Sequence, residues 1–109
     1  MGITRDYKDT INERVDSDPA FTAALLDEAV TLFLNGEPDV ARLVLRDLVN
    51  ATVGFEALAL EVNKPSKSLH RMLSARGNPT MDNLTKIIGI LRNQLGLDIE
   101  VHTKPTHVA

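Results

Sequence analysis

The side chains with the clearest chemical potential are cationic or polar, and they cluster in one short stretch. Between Val62 and Met81 the chain has four Lys or Arg residues and no carboxylate. Lys and Arg bind phosphate oxygens, and Arg, Asn and Ser also form hydrogen bonds with base edges. Taken singly, each cation is more commonly a solvated surface charge. Taken together, the residues that we predict to contact DNA are Ser66, Lys67, Ser68, His70, Arg71, Arg76 and Asn78.

The formal net charge of −3 hides an uneven distribution. Residues 1–61 carry five cations and twelve carboxylates, a net of −7, whereas residues 62–109 carry seven cations and three carboxylates, a net of +4. An acidic half joined to a basic half indicates two surfaces with different partners. The acidic residues of the N-terminal part, which are usually just a solvated face, would attract a basic protein; they include Asp6, Asp9, Glu13, Asp16 and Asp18.

Two helices joined by a tight turn would position the candidate residues. Ala59 supplies the small residue needed where a first helix crosses a second. Asn63 follows at the spacing of a sharp break, and asparagine tolerates the left-handed conformation better than any other residue except glycine. Pro65 fits the first turn of the next helix, in which Leu69 and Met72 face inward. This spacing predicts a helix-turn-helix over about residues 52–91, with the second helix in a major groove.

The first half of the chain reads as three amphipathic helices. The first covers residues 5–17, with Tyr7, Ile11 and Val15 on one face. The second begins at Asp18-Pro19 and ends near Gly36; its predicted core face holds Phe21, Leu25, Ala29, Leu32 and Phe33. The third begins at Glu37-Pro38; its predicted apolar stripe holds Val40, Leu43, Val44 and Leu48, with Arg42 and Arg46 on other faces.

The second half contains three further predicted helices, over residues 55–61, 66–75 and 81–94. Thr80 caps the last of them and Gly96 ends it. The predicted core residues here are Leu58, Val62, Leu69, Met72, Leu73, Leu84, Ile87, Ile88 and Leu91. Residues 97–101 alternate apolar and polar, which predicts a strand. A lone strand needs a partner, and the simplest one is the same strand of a second copy. The last apolar helix surface is the competing dimer interface.

Composition argues against several other classes of protein. There is no cysteine, so disulfides and cysteine-based zinc sites are excluded. His102 and His107 are the only histidines besides His70, so we expect no metal site and no cofactor. No phosphate-binding loop, nucleophile elbow or zinc-protease motif occurs, so we expect a protein that is not an enzyme. No signal peptide or membrane span is evident, so we expect a cytoplasmic protein.

The stretch FEALALEVNKPSKSLHRMLSARGNPTMDNL resembles the Cro/phage-repressor (XRE) class of helix-turn-helix proteins. Asn78-Pro79-Thr80 matches the turn of that class, and Leu84, Ile87 and Leu91 match the leucine-rich helix that follows it. Three features depart from the pattern. Asn63 replaces the turn glycine, Lys64 stands where an apolar residue is usual, and the glycine after the second helix is Gly77 and not residue 75.

A longer similarity covers about residues 18–101. The strings DPAF, VLRDLVNAT, GFEALA, KPSKSLHRML and RGNPT resemble the HigA-like addiction-module antidotes of type II toxin–antitoxin pairs. The resemblance implies a homodimeric antitoxin that represses its own inverted-repeat operator and neutralises a RelE/HigB-like ribonuclease toxin. The alternatives are a free-standing XRE-type regulator without a toxin, and a protein-interaction module that has lost DNA binding.

The predicted fold is mainly α. It is a five- to six-helix bundle that contains a lambda-repressor-like helix-turn-helix and has one short C-terminal strand. Residues 1–51 form an N-terminal helical extension packed on the module, residues 52–96 form the DNA-binding module, and residues 97–109 form the strand and tail. We expect these three parts to make one compact domain.

Overall fold

A computed structural model describes residues 18–106, and this part of the chain contains five helices. They are α1 (Pro19–Leu34), α2 (Pro38–Ala51), α3 (Phe55–Val62), α4 (Ser66–Met72) and α5 (Met81–Leu95). The chain is therefore mainly helical, as predicted. The helix predicted over residues 5–17 and the acidic residues within it lie outside the described residues.

The helix ends follow the predicted capping residues closely. The Asp18 carboxylate accepts a hydrogen bond from the Phe21 amide at 3.1 Å, and the Thr80 hydroxyl oxygen accepts one from the Asn83 amide at 3.1 Å. Gly96 ends α5 in the left-handed conformation, with φ 66° and ψ 36°. Because each cap satisfies backbone groups that lack a helical partner, these short side chains fix where α1 and α5 begin.

A single hydrophobic core joins all five helices. Its buried members are Leu26, Ala29, Leu45, Leu48, Val49, Phe55, Leu58, Ala59, Val62, Leu69, Leu73, Ile87 and Leu91. Six of the nine core residues predicted for the second half belong to this set, and the other three, Met72, Leu84 and Ile88, pack against its edge. The N-terminal helices and the remainder of the described chain are thus stabilised by the same buried surface.

The apolar faces predicted for α1 and α2 are partly wrong. In α1 the buried residues are Thr22, Leu26 and Ala29, while Phe21, predicted as core, is 47% exposed. In α2 the buried residues are Ala41, Leu45, Leu48 and Val49. The predicted stripe residues Val40 and Leu43 are 43% and 38% exposed. Helix α1 carries apolar residues on several faces, so its helical period does not select one of them. Helix α2 has a single broad apolar face, and the predicted stripe residues Val40 and Leu43 lie at the edge of that face.

The helices α1 and α2 form a hairpin that packs on the rest of the chain. The two helices make the most extensive helix–helix contact in the described residues, and only residues 35–37 connect them. Such a short connection makes them antiparallel neighbours. Helix α3 contacts α2, α4 and α5, and α5 also contacts α1. The two helices that carry the predicted DNA-binding motif are therefore held by this hairpin and by α5. We call α1 and α2 the acidic hairpin.

The C-terminal residues 97–106 have no regular structure. The Leu97 amide donates to the Arg92 carbonyl at 2.9 Å, and the Arg92 guanidinium donates to the Leu97 carbonyl at 3.2 Å and to the Asp98 carboxylate at 3.3 Å. No strand occurs within residues 18–106. The predicted strand needs a second copy of the chain, so it stays a prediction. None of the described helices combines the length and the apolar character that a membrane crossing requires.

Candidate nucleic-acid interface

A three-residue turn redirects the chain between α3 and α4. Asn63 has φ 56° and ψ 48° and is the one non-glycine residue with positive φ in the described chain. The next amide, that of Lys64, donates to the Ala59 carbonyl at 3.1 Å and so closes the end of α3. Pro65 was predicted in the first turn of α4. It instead directly precedes the helix, with φ −62° and ψ 142°. The predicted left-handed break at Asn63 is confirmed.

Helix α4 is anchored by two leucines, Leu69 within the helix and Leu73 directly after its last residue. Leu69 and Leu73 are fully buried, whereas Met72 is half-buried. The inward spacing is thus i, i+4 and not the predicted i, i+3. Because the anchors lie on one side, the opposite side of the helix faces solvent. Its exposed members are Lys67, His70 and Arg71, which we call the α4 face.

The two serines of α4 are less exposed than predicted. Ser66 and Ser68 are both half-buried, whereas the sequence predicted that they face outward beside Lys67. Ser66 is the first residue of the helix. Their hydroxyls are therefore at the border between the α4 face and the packed side of the helix, where short polar groups reach a ligand only on close approach.

The imidazole of His70 stacks on Phe55. The ring centroids lie 3.8 Å apart and the ring planes differ by 20°. Phe55 is the first residue of α3 and is only 6% exposed, so the phenyl ring is fixed by the core. A stacked pair of aromatic rings contributes about 0.5–1.5 kcal/mol beyond burial. His70 is therefore oriented by α3, a contact that the sequence pattern did not suggest.

The residues that connect α4 with α5 fold back onto the end of α4. We call residues 73–80 the linker; it carries the exposed candidates Arg76 and Asn78. The Ser74 hydroxyl donates to the Arg71 carbonyl at 2.8 Å, and the Gly77 amide donates to the Ser74 carbonyl at 3.0 Å. These bonds make the linker compact.

Gly77 lies so close to α4 that no side chain fits there. A Cβ atom on Gly77 would lie 2.5 Å from the Arg71 carbonyl oxygen and 2.8 Å from the Met72 carbonyl carbon, and nearer still to the Met72 oxygen. Real Cβ atoms essentially never approach within 3.0 Å. The close contact with the backbone explains why residue 77 is a glycine.

Arg42 of α2 holds the linker from the other side. Its Nε donates to the Ser74 carbonyl at 2.9 Å, and its Nη2 donates to the Ala75 carbonyl at 2.7 Å. Both carbonyls follow the last residue of α4, where backbone oxygens lack helical partners and a cation is favoured. Arg42 had no predicted role, because residues so far apart in the chain leave no mark in a local pattern.

The cations of this region are not neutralised within the described structure. In residues 18–106 the ion pairs join Arg92 to Asp98 and His102 to Glu100, so neither involves the α4 face or the linker. Lys67, Arg71 and Arg76 are all exposed. The same described residues contain no cluster of His, Asp and Glu that could hold a metal ion. These exposed cations can therefore bind anionic groups and hydrogen-bond acceptors.

Comparison with protein-family models, with curated proteins and with solved structures gave no match.

Proposed function

We propose that α3 and α4 form a helix-turn-helix of the lambda-repressor type, and that the protein is a sequence-specific DNA-binding repressor. The observation that carries this proposal is the construction of α4. Leu69 and Leu73 anchor one side of the helix, and the α4 face on the other side presents cations that no carboxylate neutralises in residues 18–106. The left-handed turn at Asn63 supports it, since a sharp turn lets the second helix project from the body of the protein.

Each exposed side chain suits a different part of a DNA duplex. Arg71 lies on the α4 face, and the planar guanidinium of arginine pairs bidentately with guanine O6 and N7. Lys67 and Arg76 suit phosphates, which set affinity and register. His70, fixed by its stack on Phe55, and Asn78 on the linker are donors placed within the same region. Ser66 and Ser68 would contribute only where the helix lies deepest in the groove.

A binding experiment with a matched control tests this assignment. The variant Lys67→Ala/Arg71→Ala removes two cations of the α4 face, and Lys86→Ala/Lys104→Ala removes two exposed cations elsewhere in the basic half. Fluorescence anisotropy with the DNA upstream of the protein's own gene measures the affinity over a range of salt concentrations. Each lost phosphate contact makes the slope of log K against log salt shallower by about 0.9. Loss of the phosphate contact proposed for Lys67 should therefore make the slope of the first variant shallower by about 0.9, and loss of Arg71 should lower its affinity further.

Wild-type affinity and salt slope are expected for the control variant. Equal binding by wild type and Lys67→Ala/Arg71→Ala would contradict the assignment of the α4 face. Absence of binding by the wild-type protein would favour the alternative of an interaction module that does not bind DNA.

We propose that the repressor acts as a homodimer joined through residues 97–101. Ile99 and Val101 are 37% and 59% exposed, and no backbone hydrogen bond joins residues 99–106 to the remainder of the described chain. Pairing with the same strand of a second copy would satisfy these groups. A two-fold dimer would then read an inverted repeat whose half-sites lie roughly 34 Å apart, one turn of the duplex.

We also propose that the acidic hairpin binds a basic protein; the resemblance to HigA-like antidotes implies that this partner is a small ribonuclease toxin. Residues 18–51 carry two cations and six carboxylates. Exposed apolar side chains lie on the same two helices, at Leu34, Val40 and Leu43. Apolar contacts surrounded by complementary charge suit a protein interface.

Co-expression with the neighbouring gene tests the antitoxin role. Growth should be rescued by the wild-type protein and equally by Lys67→Ala/Arg71→Ala, since the DNA-binding face lies outside the acidic hairpin. Rescue should fail with Val40→Asp/Leu43→Asp, which places charge on exposed positions without altering the core. If the neighbouring gene encodes no toxic protein, the free-standing regulator is the better reading.

A further inference from the structure

Arg42 belongs to the acidic hairpin but bonds to the linker that carries two candidate DNA-binding residues. Its two hydrogen bonds, of 2.9 and 2.7 Å, end on the carbonyls of Ser74 and Ala75. Arg76 is the next residue along the chain, and the Gly77 amide donates back to the Ser74 carbonyl. The Ser74 carbonyl therefore accepts two hydrogen bonds, one from Arg42 of α2 and one from Gly77 within the linker.

We propose that Arg42 is a positioning residue of the DNA-binding face. It holds the linker against the end of α4, so that Arg76 and Asn78 are presented together with the α4 face. This inference rests on the proposed DNA-binding function. Two features of the geometry support it. The rigid fork of a guanidinium fixes two successive carbonyls at once, which a flexible ammonium does not, and Gly77 lets the held segment lie directly on the backbone of α4.

A direct contact between Arg42 and DNA is the competing explanation. Arg42 is half-buried, and both its Nε and its Nη2 already donate to carbonyls. Arg46, one turn further along the same helix, is exposed and makes no side-chain hydrogen bond within residues 18–106. Loss of Arg46 removes the same charge from α2 without releasing the linker, so Arg46→Ala is the matched control.

A double-mutant cycle separates positioning from direct contact. DNA affinity is measured for wild type, Arg42→Ala, Arg76→Ala and Arg42→Ala/Arg76→Ala. If Arg42 acts through Arg76, the two single variants lose affinity, each by about tenfold for one charged contact. The double variant should then lose less than the product of the two single losses, with any loss beyond that of Arg76→Ala coming from Asn78, which carries no charge, so the salt slope should equal that of Arg76→Ala. Losses that multiply, together with a further fall of about 0.9 in the salt slope, would overturn the proposal in favour of direct contact.

Amide hydrogen exchange tests the positioning without DNA. In Arg42→Ala the amides of Ser74 and Gly77, which donate to the Arg71 and Ser74 carbonyls, should exchange at least about tenfold faster, while buried amides of α5 keep their protection. Arg42→Lys should show an intermediate effect, because the charge is kept but the fork is lost. Arg46→Ala should leave all these rates unchanged. Unaltered linker exchange in Arg42→Ala would overturn the proposal.

Measurements of DNA affinity and of hydrogen exchange separate the positioning role of Arg42 from DNA binding itself. A wild-type protein that does not bind DNA would refute the function, whatever the exchange rates show. If the wild-type protein binds DNA but the affinity losses of Arg42→Ala and Arg76→Ala multiply in the double variant, only the positioning role would be refuted. General unfolding of Arg42→Ala would be recognised as faster exchange in α5 as well as in the linker, and this outcome also counts against a local positioning role.

Discussion

Replacing Gly77 by alanine tests whether the linker is held against the backbone of α4. The added Cβ would lie 2.5 Å from the Arg71 carbonyl oxygen and closer to that of Met72, where at least 3.0 Å is required. Both neighbours are backbone atoms and cannot rotate away. The linker would therefore have to move by more than half an ångström, which strains the hydrogen bonds from Arg42 to Ser74 and Ala75.

The expected cost is that of forcing extra volume into a packed contact, about 1–3 kcal/mol in the free energy of unfolding. In a domain of this size each kcal/mol lowers Tm by about 4 °C or more. The matched control is Gly89→Ala, because a Cβ on Gly89 meets no atom within 4 Å and the residue lies inside α5. Alanine is the better helix former, so the control should gain about 0.5–1 kcal/mol.

Urea denaturation followed by circular dichroism measures both variants against wild type. Opposite signs for the two glycine substitutions are the expected result, and DNA affinity should fall for Gly77→Ala alone. A Gly77→Ala protein as stable as wild type would refute the close contact, and with it the explanation of why the glycine occurs at this position.

Three further predictions concern the turn, the cap and the C-terminus. Asn63→Ala should lower the free energy of unfolding by about 1 kcal/mol, because alanine tolerates the left-handed conformation less well than asparagine does. Asn63→Gly should not lower it, because glycine adopts that conformation without steric cost. Urea denaturation compares the variants, and an Asn63→Ala protein as stable as wild type would contradict the turn geometry. Thr80→Ala should lower the free energy of unfolding by about 1 kcal/mol. Thr80→Ser should lower it much less, because serine keeps the hydroxyl oxygen that accepts from the Asn83 amide. A similar loss of stability in both variants would show that this hydrogen bond is unimportant. Removal of residues 98–109, which keeps the core-packed Leu97, should convert a dimer into a folded monomer in sedimentation velocity, and a persisting dimer would move the interface to α5.

The sequence predicted those features that depend on local chemistry. Asn63, Thr80 and Gly96 act through their own backbone or a neighbour three residues away, so their roles follow from residue type and spacing. The core of α3 to α5 was predictable for the same reason, because leucine and isoleucine repeat there at one helical period. The end of α4 at Met72, earlier than the predicted residue 75, is also local in origin, since Gly77 and the Ser74 hydroxyl fold the chain back.

Features that depend on contacts between distant residues were not predictable. The buried face of α1 excludes Phe21 because α2 packs on the adjacent face, and nothing within α1 distinguishes the two. Arg42 reaches Ser74, and Phe55 fixes His70, across separations that leave no periodic signal. The candidate interface could therefore be located from the sequence, whereas the residues that hold it in place required the structure.

Binding of DNA by the α4 face and the linker can be mapped residue by residue in solution. Backbone amide resonances of the wild-type protein are followed by NMR while a duplex from the region upstream of its own gene is added. The largest shifts are expected over residues 66–78, and the acidic hairpin, outside the residues next to Arg42, should shift little. Shifts confined to the acidic hairpin, or no shifts with any upstream duplex, would contradict DNA binding by the α4 face and the linker.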